Sequence, residues 1–547
     1  MKKTTFPLLI ITLLLFHSFL SYQTLRSSDI ARQSDERARI EYAVSYYRLL
    51  FSDPAASAIT KLAKMSSLAE YDNQRHPHLV EVTQALAWKA LGYPSIRNTD
   101  AMILLSNAFF LAILLFSTYG IGCILYNKYA AFLAALLVSF FPIVFGHSRM
   151  AMLDLPLAAM VSLSAYALLK TDSFRSPSHS ILFGIASGFA QLTKETAFVF
   201  ISGPFLYYAY RSFLLQRHKR LLLHVLLAMS FAVLAAATVY LRPSNFHAFQ
   251  RYIEVAQVRT YPDQLYYLKR ASLLIGPLLG VVLLPLLLAC LTSLKERNKF
   301  LFLWFLVPLL IYSLSPSKTV RQFVPLLPAL AVMLSGEVWI HRWFKRARAS
   351  YVFLMVSFAI LQYAFVNAAI FHEGYYRQEL TMDTGVLRAQ RTPYALIAES
   401  LTGIFRHDIG AARQDKQVCF LFHYPAVYDS LRLAASFDAL PLEIVCPLEG
   451  DERAFRRDYG DLTQMDWSRV IIAADYIVEK TGVTCGSPGP DERIISRGLE
   501  ASFAQHRNEF VRIAELAFGN GDLVFVYKKS GAAGLSARLD GPGVKRR

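Results

Sequence analysis

The run AMILLSNAFFLAILLFSTYGIGCILYN, Ala101 to Asn127, contains no charged residue. At about 1.5 Å of rise per residue, an α-helix of this length crosses the ~30 Å hydrocarbon layer of a bilayer. Runs of the same kind recur at Leu221 to Leu241, Ala271 to Leu294 and Ser350 to His372. The whole chain agrees with them: 54% of its 547 residues are hydrophobic and 18% are charged, against about 45–50% and 25% in ordinary soluble domains. These blocks predict a polytopic α-helical membrane protein.

Outward from that run, Lys2 and Lys3 precede an apolar stretch, Thr4 to Gln23, that resembles a signal peptide but lacks a clear A-x-A cleavage site. A retained first helix is the simpler expectation. Later spans fall near Ala101 to Tyr126, Tyr129 to Phe145, Met152 to Leu169, Ile181 to Thr193, Thr196 to Tyr210, Leu221 to Leu241, Ala271 to Leu294, Phe300 to Leu314, Gln322 to Ile340 and Tyr351 to Phe371. The total is about eleven transmembrane helices. With the N-terminus cytoplasmic, alternate links place Lys128, Lys170, Arg217, Lys219, Lys295, Arg297, Arg342 and Lys345 inside, as the positive-inside rule requires. That places the chain in the cell inner membrane. The net charge of +17 gathers in these links, so it reports membrane orientation, and no nucleic acid partner is expected.

The same count puts the loop 26–100 outside, together with the turn around His147 to Asp154, the segment Arg242 to Arg270, the turn Ser315 to Arg321 and everything after His372. The first loop reads as amphipathic external helices: Ile40, Val44, Tyr47 and Phe51 recur at helical spacing, Asp53 and Pro54 suit a helix start, and Leu79 to Leu91 ends at Gly92. Helices of this kind lie on the membrane surface. After residue 371 the composition becomes that of a soluble extracytoplasmic α/β domain, 372–529. Its strand-like runs are Val418 to Phe422, Glu443 to Cys446, Val470 to Ala474 and Leu523 to Tyr527. Residues 530–547 form a basic tail that reads as disordered. No CxxC or zinc spacing occurs. Cys419, Cys446 and Cys485 lie in an oxidising compartment, and three pairings, or three buried thiols, are open.

The external pieces carry the candidates for chemistry. Asp35 and Glu36, in QSDERARIEYA, sit just outside the first span, where a partly desolvated carboxylate suits the deprotonation of a hydroxyl or amine. Macrodipole compensation at a helix start is the plainer account. In QRHPHL, Arg75, His76 and His78 flank a helix N-terminus, a setting for phosphate and equally an ordinary turn. GHSRMAMLDLP places His147, Arg149 and Asp154 in one tight turn, which suits phosphate holding and substrate orientation, or interfacial capping. SPSKTVRQFVPLLP sets Lys318 and Arg321 one helical turn apart, fixed cations for a departing phosphate on the side the orientation rule disfavours. Lys194 and Glu195 lie between two closely spaced spans, where mutual pairing is the default.

In order and context these pieces resemble the C superfamily of membrane glycosyltransferases that use lipid-phosphate sugars, specifically protein O-mannosyltransferases and the lipid A aminoarabinose transferase. The likeness covers Met1 to about Phe371. It lies in Asp35-Glu36, Tyr42-Ala43, His76-Pro77-x-Leu79, the Arg149-to-Asp154 turn with Leu155-Pro156, GIASGFAQLTK ending at Lys194, and KTVRQFVPLLP. The resemblance implies inverting transfer from a polyprenyl-phosphate sugar donor to a lipid, glycan or protein acceptor, in contact with membrane lipids. Asp35 is carried over as the base and Glu36 as its companion. His76, Arg149, Lys318 and Arg321 would hold the carrier phosphate, and Asp154 and Lys194 would position substrate. Two departures stand out: relatives often show two prolines where this chain has HPHL, and an aromatic residue where Gln322 follows Arg321. Some relatives use a divalent metal. This chain offers no compact ligand set, and Asp35, His76 and Asp154 would converge only in the fold. A transporter or flippase would also explain the spans, but no repeated halves are visible. An envelope scaffold gives the acidic pair and the cations no joint role.

Overall fold

The computed structural model describes residues 5–27, 34–52, 57, 60–61, 78–212, 219–240, 263–292, 296–315, 318–367, 394–409, 416–421, 431, 442–445, 467–481, 490–517 and 523–530. The chain divides into two compact units, residues 1–30 with 38–388 and residues 31–37 with 389–547.

The first unit is helical: α1 (Thr5–Ser27), α2 (Ser34–Phe51, whose residues 34–37 fall in the second unit), α3 (Leu79–Leu91), α4 (Ile96–Leu125), α5 (Lys128–Phe140), α6 (Pro142–His147), α7 (Asp154–Lys170), α8 (Pro177–Thr193), α9 (Ala197–Tyr210), α10 (Lys219–Tyr240), α11 (Pro277–Thr292), α12 (Glu296–Leu314), α13 (Leu327–Ile340) and α14 (Arg348–Asn367). Among the described residues three helical stretches, Thr5–Leu25, Asn98–Leu125 and Val320–Ile340, are long and apolar enough to cross a membrane, and six shorter apolar helices accompany them.

The apolar runs end where capping chemistry stops them. Ser95 opens α4 by accepting the Asn98 N–H at 3.2 Å, and Asn127 opens α5 by accepting from Tyr129 and Ala130 at 2.9 and 3.0 Å. Gly92 closes α3 at φ +104°, as the sequence predicts. The expected span Tyr129 to Phe145 is interrupted, because Phe141 is extended and Pro142 begins a new short helix. The run Ala271 to Leu294 is likewise broken: Ala271–Ile275 is a separate turn, Gly276 sits at φ +83°, and α11 starts afterwards. The span expected from Gln322 begins as a 3-10 turn, Val320–Leu326.

α8 and α10 pack closely. A Cβ on Gly184 would collide with the backbone of Ala228, and one on Gly188 would meet Ala235, the small-residue contact by which membrane helices approach. α7 and α13 are buried over nearly their whole circumference, which puts them in the middle of the bundle. Asp154 is the first residue of that central helix α7.

The second unit contains α15 (Tyr394–Ile409), β1 (Lys416–Phe420), β2 (Leu442–Val445), α16 (Ser468–Ala473), β3 (Tyr476–Lys480), α17 (Pro490–His506), β4 (Phe510–Ala517) and β5 (Leu523–Lys529). The sheet order is β2-β1-β3-β5-β4, parallel across β2, β1 and β3 and antiparallel across β3, β5 and β4. Phe405, Trp467, Tyr476 and Phe503 fill its core. The strand expected at Val470 to Ala474 is helix α16. The strand lies just beyond it, at Tyr476–Lys480, where Tyr476 to Val478 pair with Val418 to Phe420 of β1. Cys419 is buried in β1, while Cys446 and Cys485 lie outside the described residues.

Candidate functional site

The site is built on the turn between α6 and α7. Asn107 of α4, buried in the middle of the charge-free run, directs its Nδ2 toward the carbonyls of His147, Ser148 and Met150 at 3.3, 3.1 and 2.8 Å. Ser21 of α1 meets the Ser148 hydroxyl at 3.2 Å. One amide thus ties the turn together: the His147 carbonyl also accepts from the Met150 N–H at 3.4 Å, and a buried carbonyl left without a donor is costly.

The fixed turn aims its charged side chains in two directions. Arg149 turns toward α14, donating from Nη2 to the Tyr363 hydroxyl at 2.9 Å and lying 5.6 Å from the Phe145 ring centre. Asp154 turns the other way. Its carboxylate, 3% exposed, is 3.5 Å from Lys194 Nζ and 3.8 Å from His147 Nδ1, and Arg321 acts on it electrostatically. Lys194 is the cap residue of α8, in extended conformation, so it leaves the helix line and reaches α7. The N-terminus of α7 adds a favourable dipole for the Asp154 charge. Of its two oxygens, Oδ1 faces Lys194 and Oδ2 faces His147. The result is one buried carboxylate amid Lys194, Arg321 and His147, an excess of positive groups suited to an anion.

The 3-10 turn carrying Arg321 packs on α7. Thr319 and Gln322 form a reciprocal cap at its start, and Gln322 Oε1 also accepts from the Tyr267 hydroxyl at 2.6 Å. Tyr267 stacks on Phe323 with ring centres 3.9 Å apart. Gln322, which departs from the family pattern, therefore serves to cap the turn and to dock Tyr267. Lys318 is buried and donates to the Ser315 carbonyl at 2.6 Å.

Asp35 and Glu36 are the second and third residues of α2, at a helix start as the sequence predicts; Glu36 is fully buried. The Asp35 side chain and all of Arg75, His76 and Pro77 lie outside the described residues. α3 is bound to α2 by the Arg39 to Glu81 pair at 2.8 Å and by the Tyr47 hydroxyl on the Gly92 carbonyl at 3.1 Å. Among the described residues no group of three or more His, Cys, Asp or Glu side chains is placed to hold a metal ion. Sequence reasoning missed Asn107, Tyr363, Tyr267 and Glu81. A polar residue within an apolar run was the available signal for Asn107.

A family model, dolichyl-phosphate-mannose-protein mannosyltransferase, matches residues 74–253, which include the turn, Asp154 and Lys194. The chain is similar in structure to ArnT from Cupriavidus metallidurans bound to undecaprenyl phosphate, with TM-score 0.58, 14% identity, and 96% of this chain and 98% of that one covered. It is also similar to the oligosaccharyltransferase of Archaeoglobus fulgidus, with TM-score 0.53, 12% identity, and 97% and 75% covered. The arabinofuranosyltransferase AftD from Mycobacteria gives TM-score 0.51 at 13% identity, covering 95% of this chain and 40% of that one. Comparison with curated proteins found no match. The resemblance read from the sequence is borne out: the family model is one of those it pointed to, and the chain shares the fold of ArnT, the oligosaccharyltransferase and the arabinofuranosyltransferase.

Proposed function

We propose that this protein transfers a sugar from a polyprenyl-phosphate carrier to an acceptor on the outer face of the inner membrane, inverting the anomeric carbon. The observation that carries the reading is the buried Asp154 carboxylate amid Lys194, His147 and Arg321 at the head of the central helix, within the matched region. An excess of fixed positive charge lowers the barrier where negative charge grows on a leaving phosphate. The solved ArnT holds undecaprenyl phosphate, and the Archaeoglobus fulgidus enzyme holds a dolichol-phosphate and an inhibitory peptide, which supports a lipid-phosphate carrier here.

In the reaction, an acceptor oxygen or nitrogen attacks the anomeric carbon and the bond from that carbon to the phosphate oxygen breaks. The electron pair leaves with polyprenyl phosphate, and the acceptor proton passes to Asp35, with Glu36 beside it. Lys318, Arg321, Arg149 and His76 hold the departing phosphate, while Asp154 and Lys194 position the substrate. Residues 1–371 form the transmembrane catalytic part. The α/β part, 372–529, stands in the periplasm and helps admit the acceptor, which is a lipid, a glycan or a protein. The test is incubation of the purified protein with a panel of polyprenyl-phosphate pentoses and hexoses and a membrane extract as acceptor. Release of polyprenyl phosphate with sugar on an extract component supports the reading. Intact donors that cross the bilayer of proteoliposomes would instead identify a transporter.

A further inference from the structure

α3 carries on its buried face hydrogen-bonding capacity that no atom of the described residues meets. Glu81 and Gln84, one helical turn apart, are 0% and 1% exposed. Arg39 takes Glu81 Oε1, but Glu81 Oε2 has no hydrogen bond, and neither have Oε1 and Nε2 of Gln84. In α4, which packs against α3, Ser106 Oγ is buried in the same condition. Glu81 lies ten residues before the end of α3 and Ser106 ten after the start of α4.

Buried polar atoms almost always find partners. Four atoms without one on a single helical hairpin point to a partner outside the chain. Its chemistry follows from theirs: a carboxylate oxygen only accepts, an amide offers both donor and acceptor, and a hydroxyl does either. Sugar hydroxyls, set around a ring and able to donate and accept, complement that set. A phosphate does not, because Glu81 would repel it. α3 also packs on α8, the helix whose cap residue is Lys194.

We infer that Glu81, Gln84 and Ser106 form a subsite for the hydroxyls of the glycosyl group being transferred and set which sugar is accepted; the inference rests on the glycosyl-transfer reading above. The strip is closed in this packing, so the sugar enters as α3 shifts on α4, and the hydrogen bonds it gains offset that shift.

The experiment compares wild type, Gln84→Leu, Gln84→Asn and Ser106→Ala with polyprenyl-phosphate donors that differ by single hydroxyls, and with bare polyprenyl phosphate. Gln84→Leu is expected to change the ratio of kcat/KM between two donors at least tenfold while leaving the Kd of bare polyprenyl phosphate within twofold. Gln84→Asn, which keeps the amide, is expected to change it less. An unchanged donor ratio in Gln84→Leu overturns the inference, as does a heat-stabilised Gln84→Leu of unaltered selectivity, which would mark the strip as structural. Should Gln84→Leu fail to fold, Ser106→Ala and Gln84→Asn decide by the same ratio. A wild type that consumes no lipid-linked sugar defeats the glycosyl-transfer reading by itself. The subsite is then decided separately, by whether methyl glycosides raise the Tm of wild type but not of Gln84→Asn.

Discussion

Asp154 holds the balance of charge in the turn: its carboxylate is the counter-charge that both Lys194 and Arg321 act on. Breaking a buried pair by removing one partner costs about 3–5 kcal/mol, toward the lower end here because Lys194 is partly exposed. Asp154→Asn should therefore lower the Tm of the purified protein and reduce donor consumption at least tenfold. Asp154→Asn with Lys194→Met should recover part of the Tm but none of the activity. Equal Tm values for the single and double variants would mean that the pair does not couple. At this scale the sequence displays the charged members of the site, since Arg149, Asp154 and Lys318 stand out against apolar neighbours. It does not display what they face. Arg149 and Asp154 share a turn yet point to different helices, and only the packing of Tyr363 and Lys194 decides that. Asn107 and Gln84 read as ordinary polar residues until the groups around them are known.

Elements are more legible than residues, because hydrophobic runs and caps are local. α3 ends at Gly92, and Ser95 and Asn127 open the helices that follow, all through short-range chemistry visible in the chain. Errors arise where a local run supports two structures. Val470 to Ala474 is too short for its periodicity to separate strand from helix, and pairing of Tyr476–Lys480 with β1 and β5 decides the matter. The break at Gly276 is similar: a distant residue, Gln362 of α14, donates to the Ile275 carbonyl at 2.9 Å and accepts from the Leu279 N–H at 3.0 Å, meeting the backbone groups the break leaves open. Gln362→Leu strands both groups and should cost about 1–3 kcal/mol for each, read as a fall in Tm. Unchanged stability would show that other groups satisfy the break. Gly184→Val, by pushing α8 off the Ala228 backbone, should reduce the folded yield in detergent; a normal yield would contradict the close approach.

For the whole molecule, the alternation of basic links along the chain predicts its orientation, with the N-terminus in the cytoplasm and the end of the chain outside. A phosphatase fused after residue 529 should be active and a fluorescent protein fused there dark. The opposite pattern would place the α/β part in the cytoplasm and remove its proposed contact with acceptors. The class of fold was legible from apolar runs because a bilayer admits few architectures. The role proposed for Asp35 and Glu36 rests on resemblance alone, since an acidic pair at a helix start has a bland explanation as well. The most direct test is therefore release of polyprenyl phosphate from a lipid-linked sugar by wild type and by Asp35→Asn at equal folded concentration. The account predicts turnover by wild type and a fall of about a hundredfold or more in the variant, the scale of a lost general base. Equal turnover by the two proteins would contradict it.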